Sequence, residues 1–213
     1  HVPPSENAAA KSENLLIRII GPIMGGMMIF YAFYTGTSTA QSILREEEER
    51  TMQRLFTTPT SQATILSGKF LSVFMTVSVQ VTVLLVVAKY LFGINWGEIL
   101  SVTISAIGIV ICASSFGIFV NSLLKDTKQG GAIFGGVLTV TGMVGMINTF
   151  MGNYDTTGFN VSLLVPQGWA VRGLIQAMNV EPINNTLITL SVLLIWSAVF
   201  FIAGVWRFNK RYA

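Results

Sequence analysis

The feature that most constrains this chain is its set of uncharged runs. No Asp, Glu, Lys or Arg occurs between Ile19 and Leu44, between Ile99 and Leu124, or between Gln129 and Asn153. Single charges, Lys89 and Arg207, interrupt two further runs, Phe70 to Phe92 and Thr186 to Phe208. Each run reaches the ~20 residues that carry a helix through ~30 Å of hydrocarbon at ~1.5 Å per residue. The apolar residues are continuous rather than alternating, which argues against the strands of a barrel. The runs therefore predict an all-α integral membrane protein with five transmembrane helices, at about 19–43, 70–92, 99–123, 130–151 and 186–207. Only 11% of the 213 residues are charged, less than half the ~25% of a soluble domain.

The loops between the runs predict an orientation. Arg45, Arg50, Arg54 and Lys69 follow the first run, Lys125 and Lys128 the third, and Arg207, Lys210 and Arg211 close the chain. The segment between the second and third runs has no Lys or Arg, and that after the fourth has only Arg172. Basic and non-basic loops alternate, so the positive-inside rule places residue 1 outside and the C-terminus in the cytoplasm. Residues 1–18 read as an extracellular remnant before a polytopic domain over 19–213. That domain has a cytoplasmic loop at 44–69 and an extracellular loop at 152–185. An odd number of spans starting outside fits a first span preceding His1. The expected location is a bacterial plasma membrane, crossed several times.

Several kinds of chemistry are missing from the sequence. The single histidine is His1 and the single cysteine is Cys112, so most metal sites and His-based nucleophilic triads are excluded. Gly68-Lys69 is followed by Phe70 and position 63 is alanine, so no phosphate-gripping G-x-x-x-x-G-K-[ST] loop is present. No span carries the buried acid or arginine that ion-coupled carriers need. The chain is expected to be no enzyme and to hold no cofactor, and the scattered net charge of +3 gives no reason to expect nucleic acid. Energy for uphill movement would come from a partner. Lys89, one turn from its helix end, is expected to snorkel to the headgroups, and Gln80 to bond between helices. The small-residue pairs Gly21/Gly25 and Gly131/Gly135 and the stretch Ala113 to Gly117 are expected to pack helices within one subunit, with an interface between two subunits as the alternative.

One stretch stands apart: Leu44 to Ser61 reads LREEEERTMQRLFTTPTS. Its Glu, Arg, Met, Gln and Leu favour a helix, and Pro59 disfavours helical geometry at Thr58. A second short amphipathic piece, Gln62 to Lys69, leads into the next span, giving a helix–turn–helix elbow at the inner surface. Lys and Arg, not Glu, suit an anionic leaflet. Four consecutive glutamates, Glu46 to Glu49, therefore point to a protein partner with basic residues.

The same stretch resembles the cytoplasmic elbow of ABC type-2 exporter permeases. The resemblance is carried by the acidic run, Thr51, Leu55, Thr58-Pro59, Ser61 and Gly68-Lys69. It departs at Arg50, where glycine is usual, and at Gln53, where an acid is common. Leu164-Val165-Pro166-Gln167-Gly168-Trp169-Ala170 is similar to the family's P-x-G-W-A stretch before the last span, and Lys125-Asp126-Thr127-Lys128 to its charged loop. The resemblance covers nearly the whole chain and omits the family's first span and most of the extracellular segment after it. It implies five helices of a six-helix permease, with a cytoplasmic coupling helix. The segment around Pro166, Gly168 and Trp169 reads either as a short extracellular re-entrant helix pair, because Trp favours the interface, or as an anchoring loop with no transport role. The resemblance implies a permease subunit that forms the path of an ATP-driven exporter, with ATP bound by separate ATPase subunits and a second permease copy or paralogue beside it. Contacts with the ATPase are expected from Glu46, Glu47, Glu48, Glu49, Arg50, Arg54, Leu55, Phe56, Lys125 and Lys128. The competing readings are a membrane scaffold or sensor subunit that signals, and an autonomous channel or carrier. An apolar interior with Ser, Thr, Met and Phe suits an amphiphilic or drug-like cargo and ordinary helix packing equally well.

Overall fold

The structure, a computed structural model, describes residues 4–49, 62–152 and 158–212. Helices α1 (Pro4–Glu48), α2 (Gln62–Phe92) and α3 (Ile99–Leu123) are followed by a broken fourth span. That span comprises α4 (Thr127–Ile133), a π-helical turn (Phe134–Leu138) and α5 (Thr139–Phe150). A 3₁₀ turn (Val161–Leu164), α6 (Pro166–Met178) and α7 (Ile183–Tyr212) complete the order. Among the described residues five stretches are long and apolar enough to cross a membrane: Ile19–Glu46, Ser67–Phe92, Ile99–Leu123, Thr127–Phe150 and Ile183–Arg207. The chain is an all-α membrane protein.

Helix α3 occupies the centre and packs against α1, α2, α6 and α7. Small residues allow this. A methyl group at Gly36 would stand 2.6 Å from the Ala113 carbonyl oxygen, and one at Gly117 would collide with the Gly36 carbonyl. Backbone thus meets backbone where α1 crosses α3, as small residues permit in membranes. Buried polar side chains tie the same helices. Asn121 Nδ2 donates to the Thr37 and Gly117 carbonyls, both at 2.8 Å. Ser115 and Ser197 share a hydroxyl bond of 2.6 Å between α3 and α7. Phe33, Phe116, Phe119, Phe200 and Trp196 continue the contact as a chain of edge and stacked rings.

Three expectations change. First, the acidic run does not start a separate elbow helix: α1 runs without a break from the span through Glu48. Nothing between Leu44 and Glu48 breaks a helix, and each residue there favours one. Gln62 to Lys69 leads into the second span as expected, as the first two turns of α2. Second, the fourth span is not one regular helix. Gly130, Gly131, Gly135 and Gly136 flank or occupy its π turn, and the Phe134 N–H is shared between the Gly130 and Gly131 carbonyls. A run of glycines offers little side-chain packing to oppose one inserted residue. Third, Gln80 does not bond through its carbonyl, since its buried Oε1 has no partner in the structure.

The glycine pairs divide. Gly21 and Gly25 face Met178, Leu174 and Trp96 of the same chain, as expected of internal packing. Gly131 and Gly135 meet nothing within 4 Å and lie on an open face. Lys89 is exposed near the end of α2, in keeping with a snorkelling side chain.

Candidate functional site

The two ends of the bundle can be told apart by what α1 touches. Near its start, Gly21 and Gly25 approach the C-terminal part of α6 and the α2–α3 loop. At its finish, Glu46 and Glu48 meet α2 and α4. The second region is the acidic end, and it gathers most of the described residues expected from the sequence to couple to a partner.

Three of the four glutamates have described partners within the chain. Glu46 forms an ion pair with Lys69 of α2, a half-buried contact that joins the two sides of the elbow. Glu49 pairs with Arg45 one turn back at 3.0 Å, with both side chains largely exposed. Glu48 reaches across to α4. Its two carboxylate oxygens accept from the Thr127 N–H at 2.6 Å and the Thr127 hydroxyl at 2.7 Å. From two turns earlier on α1, Gln41 Nε2 donates to the Thr127 carbonyl at 3.0 Å. Thr127 is thereby held at its N–H, hydroxyl and carbonyl by α1.

Local chemistry explains the clasp. Asp126 caps α4, its Oδ1 accepting from the Gln129 N–H at 2.8 Å. The first N–H groups of a helix lack internal acceptors, and an anion is favoured there. Glu48 supplies a second carboxylate to the same helix start. The backbone N–H of Thr127 is the largest cause that holds the Glu48 carboxyl below its ordinary pKa, followed by the Thr127 hydroxyl. The nearby Lys128 charge acts in the same direction, and Asp126 against it. A polar cleft of about 590 Å³ opens beside the clasp, lined by Ser38, Gln41, Arg45, Glu48, Glu49 and Thr127 among others.

The structure therefore brings together two loops that the sequence presented separately, the acidic run and Lys125–Lys128. Lys125 and Lys128 are both exposed. Arg50, Arg54, Leu55 and Phe56 lie outside the described residues, and the side chain of Glu47 is not described. Sequence reasoning missed Thr127, Gln41 and Lys69. The signal for Thr127 was present: Asp126 followed three residues later by Gln129 is a helix-start pattern. Gln41 and Lys69 carried no comparable signal.

The third motif lies at the far end. Pro166 opens α6 at its first turn, where its missing N–H costs nothing. A methyl at Gly168 would collide with the Ser162 carbonyl, so the 3₁₀ turn folds directly onto α6. Trp169 Nε1 donates to the Leu163 carbonyl at 2.8 Å. At 13 residues α6 spans only ~20 Å, too short to cross a bilayer. It packs instead against α1, α3, α5 and α7. Among the described residues, no group of three or more His, Cys, Asp or Glu could hold a metal ion.

The family model for the ABC-2 family transporter protein matches residues 3–206. The chain belongs to the ABC-2 transporter family. This ABC-2 protein is 27% identical over 182 residues to the linearmycin resistance permease protein LnrN of Bacillus subtilis (strain 168). The match takes in 84% of the chain and 47% of that relative, so the chain spans about half the relative's length. No solved structure matches the chain.

Proposed function

We propose that this ABC-2 protein is a permease subunit of an ATP-driven exporter, in a plasma membrane, with its acidic end facing the cytoplasm. A separate ABC ATPase binds ATP below the acidic end, and a second permease copy or paralogue completes the path. The observation that carries this reading is the clasp of Glu48 and Gln41 on Thr127. It makes the end of α1 and the start of the glycine-rich fourth span one mechanical unit. A force applied to the elbow would reach α4 through directed hydrogen bonds, and α4 leads straight into the π turn, a departure from α-geometry often associated with function. Coupling of this kind requires an element with two arrangements that a partner can bias.

The internal partners sharpen the role of the acids. Glu46 and Glu48 hold the unit together, while the exposed Glu49, Lys125 and Lys128 remain on its surface for the ATPase to read. The linearmycin resistance permease among its relatives supports efflux as the output and a drug-like cargo as the substrate class.

The test replaces Glu46, Glu47, Glu48 and Glu49 with alanine and measures co-purification with the ATPase and transport-stimulated ATP hydrolysis. Loss of either, in a protein that still folds, is expected. Unchanged values for both would remove the coupling role. Efflux of substrate from vesicles separates transport from a signalling complex.

A further inference from the structure

At the end opposite the clasp, a cleft of about 300 Å³ lies between α6 and the start of α7. Trp169, Arg172, Gln176, Glu181, Asn185, Ile188 and Thr189 line it. Arg172 is the unusual member. Its guanidinium sits over the Trp169 ring, 5.4 Å from the centroid, and Nη1 makes one long bond of 3.5 Å to the Gly158 carbonyl. Its Nε is buried with no acceptor. Arg172 makes no ion pair among the described residues. Its terminal nitrogens carry only that one long bond among the described residues, which leaves charged donors open to an anion in the cleft.

The rest of the wall specifies which anion. Glu181 brings a carboxylate into the same cleft, where its Oε2 already accepts from Asn185 Nδ2 at 3.0 Å. A simple anion would be repelled by it, whereas a ligand with both signs of charge satisfies Arg172 and Glu181 together. The cleft also straddles a boundary. Ile188 and Thr189 lie inside the membrane-crossing stretch that begins at Ile183, and Ile188 is 60% exposed. Leu164, Val161 and Phe159, also apolar and exposed, precede α6 nearby in the chain. Trp and Arg with this amphipathic placement belong at the headgroup level. The volume is at the lower limit of small-molecule sites, enough for a headgroup and small for a drug-sized cargo.

We propose that this cleft binds the headgroup of a zwitterionic phospholipid of the phosphatidylethanolamine class. The phosphate takes the Arg172 guanidinium, the primary ammonium turns toward Glu181, and the acyl chains run down past Ile188. The site is separate from the clasp and requires only that the chain spans a membrane. Arginine suits the phosphate because its planar fork donates two parallel bonds.

The test is native mass spectrometry of the delipidated full chain in detergent, with equal additions of phosphatidylethanolamine, phosphatidylglycerol or inorganic phosphate. The wild type should retain phosphatidylethanolamine in preference to phosphatidylglycerol and should not retain phosphate. Arg172→Gln should weaken phosphatidylethanolamine binding about tenfold, the scale of a lost charge-assisted bond. Glu181→Gln leaves Arg172 and its stacking in place, so it reports even if Arg172→Gln misfolds. It should abolish the preference for phosphatidylethanolamine over phosphatidylglycerol. Equal retention of both lipids by the wild type, a preference unchanged in Glu181→Gln, or binding of inorganic phosphate instead of lipid would each overturn the proposal.

Discussion

At the acidic end of the bundle, Glu46, Glu48, Glu49 and Asp126 each hold a partner within the chain. At the far end, the guanidinium of Arg172 keeps one nitrogen buried and unmatched. Both ends carry charges of both signs, so charge alone does not separate them. What separates them is completion. At the acidic end the described carboxylates find partners within the chain and join two loops into one body. The α6–α7 end lines a cleft with a guanidinium that has no ion-pair partner among the described residues. The first arrangement suits transmission of a movement, the second suits a ligand.

The largest expected effect tests how firmly the far end is framed. Gly168→Ala sets a methyl against the Ser162 carbonyl, a backbone atom that cannot swing away. It should cost about 3 kcal/mol, the upper range for overpacking, seen as a lowered unfolding temperature in detergent. Gly135→Ala, placed where nothing stands within 4 Å, should leave that temperature nearly unchanged. Equal effects would mean that the close approach at Gly168 does not frame the cleft.

Next comes the clasp. Glu48→Ala, which removes both bonds to Thr127, should lower ATP-driven efflux about tenfold, within the usual range of coupling energies. Thr127→Val removes the hydroxyl bond alone and should lower it less, and the double variant should lose little more than Glu48→Ala. Additive losses would show that Glu48 and Thr127 act separately.

Acidity gives a smaller and reversible effect. The folded-state pKa of Glu48 lies below its ordinary value. Its bonds to Thr127 therefore stabilise the clasp in full above the ordinary carboxylate range. They are lost as pH falls through the lowered folded value. Hydrogen exchange of the Thr127 amide should stay slow from neutral pH down to that range, after correction for intrinsic rates, and quicken below it. Glu48→Gln should remove the acid-dependent step. The least effect is expected from Arg45→Ala. The Arg45–Glu49 pair is exposed and should contribute under about 0.5 kcal/mol, below detection in an unfolding curve.

The two ends were unequally legible in the sequence. The five spans could be read because uncharged runs of membrane length have few alternatives. The acidic run could be recognised because four like charges in an apolar chain are conspicuous. Its internal partners could not, because Lys69 and Thr127 lie 23 and 79 residues from the glutamates they meet. The π turn was hidden because a glycine-rich span has the same hydropathy whether its helix is regular or interrupted. Arg172 could be read as a lone charge three residues from Trp169 on one short helix, but its cleft could not, because Glu181, Asn185 and Ile188 reach it only after the chain turns beyond α6.

The joining of α1 to α4 can be tested most directly by proximity. Glu48→Cys with Thr127→Cys introduces two thiols at the clasp, and the native thiol Cys112 is buried. Treatment of membranes with a short bifunctional thiol reagent should link the pair in high yield. A control pair, Glu48→Cys with Asn95→Cys, joins opposite ends of the bundle and should remain unlinked. Linking of Glu48→Cys to Thr127→Cys no greater than in the control would contradict the clasp and, with it, the route from elbow to fourth span.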